Sequence, residues 1–313
     1  MSISMPLSQK QKELSLKIRD LAKQSNAVIL AHNYQRPEVQ DVADITGDSL
    51  ALSIKASETK AEVIVFCGVH FMAETASILA PNRIVLLPVK SAGCPMANMI
   101  TAEALRAKKE ELGDAVVVSY VNTTAAVKAE SDICCTSANV VQVIRSIPIA
   151  KTIYMTPDRN LAQYAQKKSG RTVQYWNGFC HVHNSLSAEQ VQRVKAAHPE
   201  ALFIAHPECR PEVLDLTDEI KSTSGMLAFI KQSRHKTFIL GTETGILHQL
   251  AKANPDKVLI PADEDMICPN MKKTGLQDIL QALENMQPQI TVAQAIRVRA
   301  KQALDRMLAI PRD

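Results

Sequence analysis

Residues 176–183 read WNGFCHVH and set Cys180, His181 and His183 within four positions of one another. Three chemistries fit such a cluster: a compact metal site, a thiol nucleophile with its base, or a buried thiol beside two ordinary histidines. The octapeptide alone does not choose among them. Its place in a threefold repeat narrows the choice.

Four landmarks recur in register along the chain. Apolar runs end in AHNYQ at His32, SYVNTT at Tyr120 and AHPEC at His206. Twelve positions after each stands an aspartate, Asp44, Asp132 or Asp218, opening the phrases DITGDSL, DICCTSAN and DEIKSTSGM with serines at Ser49, Ser137 and Ser224. A cysteine follows 60 to 62 positions after each first landmark, at Cys94, Cys180 and Cys268. The first and third cysteines share a setting, VLLPVKSAGCPMANM and VLIPADEDMICPNMK. Self-similarity at fixed distances marks duplicated structural units, here three of about 85 residues each.

Three equivalent cysteines facing a common axis would form one constellation. Thiolates suit zinc or an iron–sulfur cluster, and three ligands leave a coordination position open for substrate or water. In a four-iron cluster that position belongs to an iron able to act as a Lewis acid. Cys67, Cys134 and Cys209 read instead as small buried hydrophobes. His32 with Tyr34, Tyr120 with Asn122, and His206 with Glu208 are i, i+2 pairs that project to one side of an extended segment. Histidine beside a carboxylate is a candidate acid–base pair. Ser49, Ser137 and the run Ser222-Thr223-Ser224 fall at strand-to-helix junctions, where hydroxyls serve as N-caps and helix amino termini receive phosphates or carboxylates. Thr242 and Thr244 in GTETGI have the same character.

Such residues need strands to carry them. Short Val- and Ile-rich runs recur as AVILAH, VIVFCG, RIVLLP, AVVVSY, TIYMTP, TVQYW, ALFIAH, TFILGT and KVLIP. Continuous apolar runs separated by helix-length segments predict the buried parallel strands of an α/β protein. The expected architecture is three homologous three-layer αβα domains with parallel four-stranded sheets, in pseudo-threefold arrangement. Ligand sites lie at the carboxyl ends of parallel strands, so the three sets of loops would face one centre. Helices are expected at 8–24, where Leu14, Ile18 and Leu21 share a face, and at 291–308 with Ile296, Ala300, Leu304 and Leu308. The expected division is 1–110 with the N-terminal helix, 111–196, and 197–313 with the C-terminal helices.

Of 313 residues, 46% are hydrophobic and 22% charged, the balance of an ordinary globular chain. The net charge is +4 with basic residues scattered, which argues against a nucleic-acid footprint or a polybasic membrane patch. The opening MSISMPLSQKQKEL has neither a signal-peptide core nor an Arg-rich transit pattern, and no apolar stretch nears the roughly 18 residues of a membrane span. A cytoplasmic location is the expectation, with the seven cysteines outside structural disulfides. No C-x-x-C occurs, so zinc-ribbon and thioredoxin-type motifs are excluded.

The chain resembles the quinolinate synthase family, from AHNYQRPEVQDVADITGDSL through FCGVHFMAETA, AGCPMANM, VSYVNTTAAVKAESDICCTSANV, WNGFCHVH, HPEC and STSGM to LGTETGI and CPNMK. The resemblance implies three similar α/β domains around a central [4Fe-4S] cluster with three cysteine ligands, matched by Cys94, Cys180 and Cys268. It implies condensation of iminoaspartate with dihydroxyacetone phosphate to quinolinate, releasing phosphate and water, in de novo NAD biosynthesis. Transient contact with the oxidase that makes iminoaspartate goes with that role. By motif, His32, Tyr34, His206 and Glu208 match proton-transfer groups, with His183 near the cluster. Tyr120, Asn122 and Ser49 match carboxylate or intermediate contacts, and Ser137 with Ser222 and Thr223 a phosphate or carboxylate cradle. Some relatives carry C-x-x-C-x-x-C around the third ligand; Cys268 stands alone here, so no regulatory disulfide is expected. His181 keeps a structural reading. Two rival readings are a three-cysteine zinc lyase or hydrolase and a non-catalytic iron–sulfur redox sensor, which has little use for three sets of acid–base residues.

Overall fold

The structure is a computed structural model describing residues 7–312. Residues 1–6, the start of the MSISMPLSQKQKEL opening, and Asp313 lie outside the described residues.

Among the described residues twelve strands form three four-stranded sheets, each strand parallel to its neighbours. The first holds β1 (Ala27–His32), β2 (Ile45–Gly47), β3 (Val63–Cys67) and β4 (Ile84–Leu86) in the order β2-β1-β3-β4. The second holds β5 (Val116–Tyr120), β6 (Ile133–Cys135), β7 (Ile153–Thr156) and β8 (Gln174–Tyr175) in the order β6-β5-β7-β8. The third holds β9 (Leu202–Ala205), β10 (Glu219–Ile220), β11 (Thr237–Gly241) and β12 (Val258–Pro261) in the order β10-β9-β11-β12. The chain leaves each first strand to one side and returns on the other, so each sheet has a topological switch point. Ligand crevices open there, at the carboxyl ends of the two central strands. Helices cover the sheet faces, which is why a strand such as β3 is buried at all five positions.

Nine of these strands coincide with the apolar runs. The other three, β2, β6 and β10, are two or three residues long and lie in the polar phrases DITGDSL, DICCTSAN and DEIKSTSGM, with no apolar run around them. The repeated aspartate explains them. Asp44, Asp132 and Asp218 donate their backbone N–H to Ile29 O, Val117 O and Phe203 O at 2.9, 3.0 and 2.9 Å. Each carboxylate then accepts the N–H of that same residue, at 2.8, 2.8 and 2.7 Å. This two-sided clasp fixes where each edge strand joins its sheet. Asp132→Ala should lower urea-unfolding stability by about 1–3 kcal/mol, the cost of orphaning a partly buried amide, without altering substrate turnover. Wild-type stability in that variant would remove the clasp from the fold's supports.

The terminal helices tie the sheets together. The helix Gln9–Gln24 opens on a Ser8–Gln11 capping box and buries Ile18 and Ala22, with Leu14 and Leu21 against the same core. It packs on the helix Leu276–Asn285, which also meets β3. The helix Gln294–Leu308 buries Ala300 and Leu304 against β6 and the short helix Ala125–Ala129. Assigned by chain order to the third unit, these closing helices thus pack on the first and second sheets. Beyond them Arg312 pairs with Asp48 through both terminal guanidinium nitrogens, at 2.8 and 3.2 Å.

Candidate active site

The carboxyl ends of the central strands converge on one cavity. It is lined by Cys94, Cys180 and Cys268, and by His32, Tyr34, Ser49, Tyr120, Asn122, Ser137, His183, His206, Glu208 and Thr223. Residues from all three sheets are therefore neighbours. Ser224, Thr242 and Thr244 are not among the lining residues, and neither is Ser222. Its hydroxyl accepts from Gly225 N at 3.2 Å, capping the helix Thr223–Gln232, and it faces an adjoining groove.

The junction serines differ from simple caps. Asp48, not Ser49, caps the helix Ser49–Glu58, accepting from Ala51 N at 2.8 Å. Ser137 precedes the junction of the helix Val140–Ser146 and bonds His206 Nε2 at 3.1 Å. Both serines line the cavity.

The i, i+2 spacing sets the histidine tautomers. Tyr34 N donates to His32 Nδ1 at 3.1 Å and Glu208 N to His206 Nδ1 at 3.4 Å, which puts each ring proton on Nε2. Burial pushes His32 down to about 4 and His206 down to about 3, His183 adding to the second. Both are neutral at pH 7. The folded chain binds fewer protons than the unfolded one as pH falls below 6.5, so stability should drop from there toward pH 4. Each histidine contributes a slope of up to about 1.4 kcal/mol per pH unit. Urea titrations of the metal-free protein should show a shallower slope in His32→Asn/His206→Asn; an unchanged slope would refute this assignment.

A hydrogen-bonded chain crosses the site. Tyr34 O–H lies 2.7 Å from Thr242 Oγ1, which lies 3.0 Å from His183 Nε2. His183 Nδ1 is 2.6 Å from Glu208 Oε2, so its proton points at the carboxylate. Burial works to raise the Glu208 pKa, but the imidazoles of His183 and His206 and the Tyr120 hydroxyl hold it below the usual range. Burial raises both tyrosines well above their ordinary pKa. The chain thus runs from a protonated phenol to an ionised carboxylate, as a proton relay requires. Asn122 Oδ1 is buried without a hydrogen-bond partner, an acceptor left for a bound molecule.

Cys67, Cys134 and Cys209 are fully buried in the core, whereas Cys94, Cys180 and Cys268 are part-exposed to the cavity. Burial pushes the Cys94 thiol up to about 12 and also raises Cys180 and Cys268, so metal binding would have to displace their protons. WNGFCHVH divides. Cys180 Sγ, a His183 nitrogen and a Glu208 oxygen lie within 4.8 Å of one another, while His181 lines the cavity outside that group.

Two kinds of residue escape sequence reading. Lys128 is fully buried; its ammonium bonds Thr123 O and sits 5.4 Å from the Phe71 ring. It braces the turn that carries Tyr120 and Asn122. Asp158 and Glu243, also fully buried, follow apolar strands in TPD and GTE, with no periodicity to mark them.

Fold and cavity define the class: a three-sheet α/β enzyme whose strand ends gather acid–base groups and thiols around one small-molecule site. The chain belongs to the quinolinate synthetase A family, whose model, described as Quinolinate synthetase A protein, matches residues 16–309. It is 56% identical over 298 residues to quinolinate synthase of Desulforudis audaxviator, covering 95% of this chain and 98% of that one. It is 57% identical over 296 residues to quinolinate synthase of Geobacter metallireducens, covering 95% and 97%. With quinolinate synthase of Methanosarcina barkeri the identity is 53% over 300 residues, covering 96% and 98%. Among the described residues no helix is long and apolar enough to cross a membrane.

Proposed function

We propose that this cavity condenses iminoaspartate with dihydroxyacetone phosphate to quinolinate, releasing one phosphate and two waters, with a [4Fe-4S] cluster on Cys94, Cys180 and Cys268. The observation that carries this reading is the meeting of one part-exposed cysteine and one strand-end polar pair from each repeat in a single cavity. The repeat landmarks support three related units at 1–110, 111–196 and 197–313. Three soft thiols with no fourth cysteine in the cavity lining fit a cluster with one open iron. When bound, such a cluster supplies a Lewis acid that eases hydroxide departure.

The chain's own residues handle the rest. Thr223, at the amino end of a helix, and the hydroxyls of Ser49 and Ser137 suit phosphate or carboxylate oxygens. Asn122 Oδ1, lacking a partner in the fold, suits an N–H or O–H donor of the substrate pair. A proton released in the cavity can enter at the Tyr34 oxygen as its own proton passes to Thr242 and the Thr242 proton to His183 Nε2, with Glu208 holding the imidazolium that forms. Neutral His32 and His206, with Nδ1 taken by a backbone N–H and the proton on Nε2, are placed as donors, His32 toward oxygens of the bound substrates and His206 through the Ser137 hydroxyl. Enclosure by three sheets excludes water from an imine that water hydrolyses, and the same lability supports transient delivery from the oxidase that makes it.

The test is anaerobic. Protein reconstituted with iron and sulfide should hold about four irons per chain and form quinolinate from the two substrates. A loaded protein that forms none would end the proposal. A second reading, a single zinc ion at Cys180, His183 and Glu208, is favoured by their 4.8 Å grouping. Stoichiometric zinc without acid-labile sulfide would favour it.

A further inference from the structure

Two buried carboxylates outside the proton relay, Asp158 and Glu243, occupy one place in the fold. Each is the second residue after the third strand of its sheet, β7 ending at Thr156 and β11 at Gly241. One oxygen of each receives an N–H at the start of the following helix: Asp158 Oδ1 accepts from Leu161 N at 2.8 Å and Glu243 Oε2 from Gly245 N at 2.7 Å. The other oxygen reaches the backbone of a cavity cysteine. Asp158 Oδ2 accepts from Cys180 N at 3.0 Å, and Glu243 Oε1 accepts from Cys268 N at 3.0 Å. In the first unit this position is Val69, which has no side-chain acceptor. There the main chain serves instead, His70 N donating to Ala92 O at 2.7 Å, two residues before Cys94.

We propose that Asp158 and Glu243 are positioning residues that hold the Cys180 and Cys268 loops ready for the metal centre, an inference resting on the three-cysteine reading above. The residue type follows from the donors. Two N–H groups from different segments bind the two oxygens, and an amide side chain offers only one acceptor atom. Glycines let the backbones close onto these groups. A Cβ on Gly178 would stand 2.5 Å from Pro157 O, and one on Gly245 would stand 2.8 Å from Glu243 Oε2. Lys272 fastens the second loop further, its Nζ 2.8 Å from Glu243 Oε1 and also bonded to Tyr34 O across the sheet boundary. Supporting groups of this kind orient ligands before the metal arrives.

The metal-free full chain provides the first readout. Asp158→Asn should speed amide hydrogen exchange about tenfold across 178–182, as expected for loss of one hydrogen bond, and leave 266–270 at the wild-type rate. Glu243→Gln should do the reverse. After reconstitution, each variant should surrender iron to a chelator about tenfold faster than wild type, because one ligand loop opens more often. Wild-type exchange in both loops, or equal acceleration of both loops by either change, overturns the proposal. If one variant does not fold, the other decides alone. Loop-specific acceleration in a protein whose wild type takes up no iron or sulfide would keep the positioning role and overturn the cluster.

Discussion

Cys180→Ala, prepared and reconstituted without oxygen, is expected to retain no cluster. A three-thiolate site is already one ligand short of closure, and loss of a second corner leaves two cysteines from different sheets with nothing to fix their separation. The comparison is Cys67→Ala. Cys67 is fully buried in β3, so its removal should cost core packing while iron and sulfide contents stay at wild-type levels. Iron analysis, labile sulfide and visible absorption read the difference. If both variants lose the cluster equally, or both keep it, the ligand set is wrong.

Glu208→Gln should leave iron content unchanged and lower quinolinate formation by roughly two to four orders of magnitude, the usual worth of a positioned acid–base group. The carboxylate receives the Nδ1 proton of His183 at 2.6 Å, and its charge stabilises the imidazolium that forms when His183 takes up a proton. Glutamine keeps the shape and removes the charge. An amide nitrogen turned toward His183 would also force the other tautomer, so that Nε2 no longer accepts from Thr242. Turnover at the wild-type rate would remove Glu208 from the catalytic set, and iron loss would move its role to metal retention.

How much was legible in the sequence depended on whether a residue's role repeated. The cysteines and the strand-end pairs stood at matching distances in three copies, so their convergence could be expected before any fold was known. The aspartates repeat just as strictly, but spacing gave them no role; their carboxylates grip the central strands. The two- and three-residue strands beside them, β2, β6 and β10, carry too few apolar positions to form a pattern. Lys128 was invisible because a lysine in AAVKAES reads as a solvated helix position, and only the packing reveals that its ammonium is spent on Thr123 O. Asp158 and Glu243 repeat in only two of three units, with Val69 in the third, so spacing alone did not single them out. The closing helices return to the first and second sheets because their apolar faces match cores laid down earlier in the chain, which chain order does not encode.

The hydrogen-bonded path from Tyr34 to Glu208 has no home in any one repeat. Tyr34 follows the first sheet, His183 the second, and Thr242 and Glu208 belong to the third. Spread the repeats by a few ångströms and the path ceases to exist, although every residue in it is intact. Proton transfer along this path is therefore conditional on assembly: the three sheets must meet for the conductor to exist at all.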